Sequence, residues 1–461
     1  LADNKVDTAP APSSEPEKSS DGAAPPPNVT VRLGWYTVVM TGIVAVMSQV
    51  DRGVLALFVQ PMKRDFHLTD TQVSILLGFA FTFFYVVGGP PLSRMADNGI
   101  RKHVIAGALA VWSVATGCFG IAQNYWAFFA ARAVVGASEA GCGPASLSMI
   151  ADTIKREHLP RAYALYNSGF LGGVALSLVV GGVLIGMFEH IPPIHLPMIG
   201  TIYNWQLVFI LLSVPGLVIA VIFMLTVPEP VRRGSKKPGG YPLREVFAYL
   251  YKNKKLHGPF LIAVLLMAFQ IYGIVAWVPA FFERTYGWGP AKIGPLLGMS
   301  VLITSVIGLF VGARLTEILG KKHDDAHLRV MVIANSLPIP FFVAGFLMPS
   351  PWLALACYAT GQGLYTMGAA GFNSSINVSS PNEMRSQITV LYFILQNAVA
   401  GSLGPTVIAL ITDFVAHSES DLRYVLAGVR LIVGPLTVFF LWRAMKAYGP
   451  VFRQRVAEGA A

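Results

Sequence analysis

Four charged residues sit where the surrounding sequence is almost wholly apolar. Asp51 and Arg52 are adjacent in SQVDRGVLALF, and Arg132 and Glu139 stand seven apart in ARAVVGASEAG. A charge at the centre of an apolar membrane helix costs about 3 kcal/mol on insertion scales, so such residues face an interior and find partners. Seven residues make close to two helical turns, which puts Arg132 and Glu139 on one face; Asp51 and Arg52 point about 100° apart. At about 1.5 Å per residue, Asp51 and Arg132 come to a similar depth, with Glu139 about 10 Å beyond Arg132. The spacing predicts a network in which Asp51 lies near Arg132 and Arg52 reaches Glu139. Two chemistries fit it. Low dielectric favours a protonated carboxyl and a nearby guanidinium favours the ionised one. An arginine that moves between two conformations would therefore act as a proton switch, with Glu139 as first carrier and Asp51 as second. Alternatively, the cluster is a salt bridge that fixes two helices together.

The elements that carry these residues follow from composition. The chain has 461 residues, 54% hydrophobic and 13% charged, where soluble proteins average about 25% charged. Its apolar blocks are long enough to cross a hydrocarbon core of about 30 Å as helices. They predict twelve spans near 33–60, 70–93, 103–122, 125–152, 159–187, 204–227, 258–283, 290–317, 328–348, 351–379, 384–413 and 422–446. The expected fold is an all-α polytopic membrane protein, with twelve transmembrane helices in two pseudo-symmetric six-helix bundles, 32–228 and 258–447. Residues 1–31, rich in Pro, Ser and Ala, read as a disordered tail, and 448–461 as a second tail. The first apolar block is too long for a signal peptide. The linker 229–257 contains a stretch from Pro242 to Leu250 suited to a surface helix.

The net charge of +10 is no nucleic-acid signal, because the basic residues fall in short loops. One side carries roughly nineteen Lys and Arg and the other about five, which predicts cytoplasmic termini and linker. Short loops on the other side suit a bacterial inner membrane. No metal or cofactor is expected. Cys118, Cys142 and Cys357 fall in apolar segments without ligand spacing, the nine histidines form no cluster, and HExxH, GxSxG and nucleotide motifs are absent. These absences argue against an enzyme. The halves repeat weakly: RMADNGIRK at 94–102 follows span two and RLTEILGKK at 314–322 follows span eight. Six plus six spans around a basic linker is the pattern of paired transporter halves.

With these features the chain resembles the major facilitator superfamily over nearly its whole length. The loop SRMADNGIRKH at 93–103 resembles the family signature, although Ser93 stands where glycine is usual, Asn98 replaces a basic residue and the later glycine is shifted to Gly99. The Asp-x-x-x-Arg-Lys form, Asp51-Arg52, and Arg132, Gly136, Glu139 and Ala140 in span four are similar to the Spinster-like subgroup. The resemblance implies a secondary transporter for lysophospholipids or sphingosine-phosphate-like lipids, with a sugar-acid permease as the alternative. It also implies a gate in which Asp97 lies near the start of span eleven, around Asn382. Arg101 would bridge Asp97 and Asp152 beside Lys102, with Glu317 and Lys321 as a weaker copy.

The interior of the second half reads as polar without being charged. Gln270 and Tyr272, then Asn373, Ser374, Ser375 and Asn377, then Gln396 and Asn397, join Phe79, Phe83, Tyr166 and Trp277 as candidate lining of an amphiphilic cavity. Arg132 in one wall suits a phosphate or carboxylate. Arg430 in span twelve is expected to snorkel to the outer interface, with contact to the substrate as the alternative. The predicted partners are thus protons and a lipid or amphiphilic anion, handled by a monomer.

Overall fold

The computed structural model describes residues 31–232, 242–381, 384–416 and 418–457. Ten of its helices are long and apolar enough to cross a membrane. Two more crossings are each broken in two: span four runs Tyr125–Glu139 then Cys142–Thr153, and span ten runs Pro351–Thr366 then Ala369–Ser379. Together these make the expected twelve. Spans four and ten hold corresponding places in the two halves, and discontinuous helices of this kind commonly build transporter sites.

Other irregularities lie at similar depth. In span one (Val31–Phe66) a tight 3-10 segment, Val54–Phe58, follows directly on Asp51, Arg52 and Gly53. In span eleven a π-helical turn, Gln396–Gly401, separates Arg385–Leu395 from Ser402–Phe414. Span two (Asp70–Asn98) starts on a capping box, in which Thr69 accepts from the Gln72 amide and the Gln72 side chain accepts from the Thr69 amide. That pattern is the familiar Thr-x-x-Gln start signal.

The remaining crossings are span three (Arg101–Ile121), five (Leu159–Phe188), six (Asn204–Thr226), seven (Lys254–Tyr286), eight (Pro290–Gly320), nine (Ala326–Leu347) and twelve (Leu422–Ala457). Span twelve therefore continues as helix past 446, into the segment read as a tail. The linker carries a helix, Leu243–Lys252, whose Val246 is buried against Leu256, Phe260 and Tyr448. The rest of the linker from 233 to 241 lies outside the described residues, as do residues 1–30. Between spans five and six, Ile194–Leu196 and Gly200–Ile202 form a small antiparallel hairpin that hydropathy alone did not foretell.

The bundles meet tightly on the side away from the termini, hereafter the far end. A Cβ on Gly294 of span eight would lie 2.5 Å from the Leu178 carbonyl of span five, and one on Gly78 would lie 2.7 Å from the Gly401 carbonyl. Aromatic packing fills the far half: Trp205, Phe58, Phe128, Trp277 and Phe282 are all fully buried in one continuous core.

Candidate functional site

Span four approaches span two through Gly136, where a Cβ would clash with the Phe81 carbonyl. That approach sets the Phe81 ring beneath two guanidiniums, 4.3 Å from that of Arg52 and 5.3 Å from that of Arg132. Arg52 also lies over Tyr85, at 4.9 Å. A cation over an aromatic face loses less on leaving water than one in bare hydrocarbon.

The predicted Arg52–Glu139 contact is formed. Arg52 Nε donates to Glu139 Oε1 at 2.8 Å, its Nη2 donates to the same oxygen, and Ser48 Oγ donates to it at 2.5 Å. Glu139 is 3% exposed, and its second oxygen is buried without a hydrogen-bond partner. The residue closes the first half of span four, immediately before the break at Ala140 and Gly141. A cavity of about 30 Å³ opens beside it, lined by Ser48, Arg52, Tyr85, Cys142 and Tyr166 among others. That is room for about one water.

Asp51 and Arg132 come together differently from expectation. Arg132 Nη1 donates to the Asp51 backbone carbonyl, and its Nε to the Leu76 carbonyl, both at 3.3 Å. The Asp51 Oδ1 is buried without a hydrogen-bond partner, with Arg132, Glu139 and Trp112 as its polar neighbours. The cluster thus holds two carboxylates and the Arg132 guanidinium buried, with the Arg52 side chain 23% exposed at its edge.

Across the bundle boundary, Arg52 has Tyr272 of span seven as an electrostatic neighbour, and the Tyr272 hydroxyl donates to Asn397 Oδ1 at 3.2 Å. Asn397 lies in the π-helical turn. The other candidate lining residues divide. Tyr166 borders the Glu139 cavity. Gln270 is buried between helices, bonding Thr437 and Arg430. Trp277 is fully buried and donates to the Pro405 carbonyl at 3.0 Å. Phe79 and Phe83 stack on each other and stay exposed. Asn373 and Asn377 have side chains outside the described residues.

The loop charges form a knot within the first bundle. Arg101 is 2% exposed; it donates to Asp152 at 2.5 Å, Ser148 at 2.8 Å, Glu229 at 2.8 Å and the Pro230 carbonyl at 2.9 Å. The Lys102 amide donates to the other Glu229 oxygen at 2.9 Å. Asp97 is exposed, and among the described residues its carboxylate makes no ion pair. Instead Arg232 donates to the Ala96, Asp97 and Gly99 carbonyls, satisfying the bare carbonyls at the end of span two. The Asp97–Arg101 bridge is therefore absent in this conformation; Asn382 lies outside the described residues. Glu317 pairs with Arg314 at 2.8 Å on an exposed face.

The far end holds a clasp that sequence reasoning missed. Arg284 of span seven grips Asp70 of span two through two bonds, 2.8 and 2.6 Å, and also donates to Gln60 at 2.9 Å. Arg284 and Asp70 are each 1% exposed. Lys63 reaches both Asp70 and Glu419, at 2.6 and 2.7 Å, and Thr71 donates to Asp413 of span eleven through its amide and hydroxyl. The only advance signal was the capping box that fixes Asp70.

Comparison with known proteins decides the family. The model of the Major Facilitator Superfamily matches residues 41–405. The chain belongs to this transporter superfamily. It is 26% identical over 83% of its length, and 85% of the relative, to a protein of Mycolicibacterium smegmatis called an MFS-type efflux pump. It is 23% identical to a Bacillus subtilis protein named as a probable galactarate/D-glucarate transporter, across 91% of this chain and 96% of that one. Its fold matches a bacterial homolog of the human lysosomal transporter Spinster, solved inward-facing and unoccupied. The TM-score is 0.75 at 22% identity, covering 93% of this chain and 99% of that one. Its fold is thus like that of a Spinster homolog, the subgroup that its span-four motif resembles. It is an integral membrane protein.

Proposed function

We propose that this member of the superfamily is a proton-coupled secondary transporter that moves an amphiphilic lysolipid by alternating access. The observation that carries the reading is the single Glu139 oxygen shared by Arg52 and Ser48, at the break of span four and beside the bundle boundary. Protonation of Glu139 removes the negative charge that holds Arg52. The released guanidinium then turns to the phosphate or carboxylate of a substrate, for which its planar fork is well shaped. Deprotonation draws Arg52 back to Glu139 and releases the anion. Asp51 and Arg132 hold a second pair of charges behind the first and keep the cluster neutral when Glu139 is ionised.

In this reading the termini lie in the cytoplasm of a bacterial cell, the protein works as a monomer, and the structure corresponds to the inward-open state. The far-end clasp closes the outer side, and the Arg101 knot travels with the first bundle. The sugar-acid relative supports a second reading, in which the same cluster serves a small organic anion.

Uptake into proteoliposomes separates the two. Purified protein is offered a labelled lysophospholipid or a sugar acid, with and without an imposed pH gradient. Lysolipid uptake that follows the gradient in wild type, and ignores it in Glu139→Gln, is the expected result. Gradient-driven uptake of the sugar acid alone moves the substrate to the second class. Unchanged gradient dependence in Glu139→Gln sinks the proton role.

A further inference from the structure

Arg430 does not snorkel. It is 4% exposed and turned into the second bundle, where its guanidinium lies 3.9 Å from the Phe342 ring of span nine. Nη1 donates to Gln270 Oε1 of span seven at 2.8 Å, and Gln270 Nε2 in turn donates to Thr437 at 3.0 Å. Tyr358 and Tyr365 of span ten are its remaining polar neighbours. Arg430 Nε is buried without a hydrogen-bond partner, and among the described residues no carboxylate pairs with it. The two bundles differ sharply in charge. In the first, Arg52 and Arg132 are balanced by Asp51 and Glu139; in the second, Arg430 stands uncompensated. An unpaired buried charge costs several kcal/mol. Gln270 alone does not explain it, because a neutral donor would satisfy the Gln270 oxygen equally well. Tyr365 has Tyr272 as a further electrostatic neighbour, and Tyr272 neighbours Arg52. Tyr272 is thus an electrostatic neighbour of both Arg52 and Tyr365, and Tyr365 of Arg430.

We propose that Arg430 is a second anion anchor, in the C-terminal bundle, that takes the phosphate or carboxylate of the substrate, with the Tyr365 and Tyr358 hydroxyls as flanking donors. This rests on the reading of the chain as a carrier of anionic amphiphiles. The anion supplies the negative charge that the surroundings of Arg430 lack among the described residues. A headgroup held first by Arg52 is passed along the tyrosines to Arg430, so that both bundles grip one substrate.

The test is equilibrium binding of three labelled single-chain lipids of one acyl length to purified full-length protein: a lysophosphatidate, a fatty acid and an uncharged monoacylglycerol. Wild type binds the charged lipids more tightly than the neutral one. Arg430→Gln weakens the charged lipids by roughly 10- to 100-fold, the range for hydrogen bonds to charged groups, and leaves the neutral one unchanged; Arg430→Lys falls between. A loss confined to the lysophosphatidate names phosphate as the ligand group, and one confined to the fatty acid names carboxylate. The thermal midpoint of lipid-free Arg430→Gln matches or exceeds wild type, because an uncompensated charge has been removed. Undiminished affinity for both charged lipids in Arg430→Gln overturns the anchor alone. A lower thermal midpoint with equal losses on all three lipids makes Arg430 a packing post and also overturns it. Failure of wild type to bind any of the three overturns the lysolipid reading and the anchor with it.

Discussion

The two ends of the molecule use charge in opposite ways. At the far end, Arg284, Asp70, Lys63 and Glu419 tie spans one and two to span seven and the turn before span twelve, so the bonds cross from one bundle to the other. At the end that carries the termini, Arg101 gathers Asp152, Ser148 and Glu229, all from the first bundle and the strand of chain that leaves it. A bond that crosses the boundary must break when the bundles rock; a bond within one bundle rides along. On the alternating access proposed above, the far-end clasp sets which conformation is populated, and the Arg101 knot sets how firmly one bundle holds its shape. A family signature loop need not be a lock between halves in every state.

This difference can be broken or sharpened by substitution. The largest effect is expected from Arg284→Ala, which leaves Asp70 buried with only Lys63 opposite. Loss of one partner from a buried pair costs about 3–5 kcal/mol, here charged to the clasped state, so the population open at the far end rises, as read by labelling of far-end cysteines. Arg101→Ala removes four side-chain bonds from a partly exposed knot and lowers stability by about 2–3 kcal/mol, seen as a lower thermal midpoint with the labelling pattern unchanged. Gly136→Ala forces a methyl against the Phe81 carbonyl; overpacking of this kind costs about 1–3 kcal/mol and pushes Phe81 from beneath Arg52, slowing transport more than it lowers stability. The smallest effect is expected from Glu419→Gln. Its carboxylate is 55% exposed, so the change is under about 1 kcal/mol and disappears at high salt, in labelling measured across a salt series.

The contrast also explains what was legible beforehand. Twelve apolar blocks were countable by length, and Arg52 and Glu139 announced themselves because a charge inside such a block is rare, although the depth arithmetic levelled Asp51 with Arg132 and left Glu139 about 10 Å further along. The breaks in spans four and ten left no comparable signal: Gly141 and Gly368 look like any membrane-helix glycine, and only tertiary contacts decide that the helix stops there. The clasp escaped because Asp70, Arg284 and Glu419 lie at helix ends, where charges usually meet water. Arg101 was expected to bridge Asp97 and Asp152; it reaches Asp152, but Glu229 takes the second place and leaves Asp97 to solvent. Arg430 was assigned to the interface because a long basic side chain commonly snorkels there; the Phe342 ring and Gln270, from two other spans, draw it inward.

The most direct test of the central claim is a pair of distances by pulsed electron paramagnetic resonance. Spin labels at Arg64→Cys and Ser420→Cys report the far end, and labels at Asn98→Cys and Lys322→Cys report the other, in a background with Cys118, Cys142 and Cys357 replaced; all four labelled positions are exposed. The account predicts that adding Arg284→Ala lengthens the first distance and shortens the second, while adding Arg101→Ala moves neither. A first distance unchanged by Arg284→Ala, or a shift of both by Arg101→Ala, would contradict it.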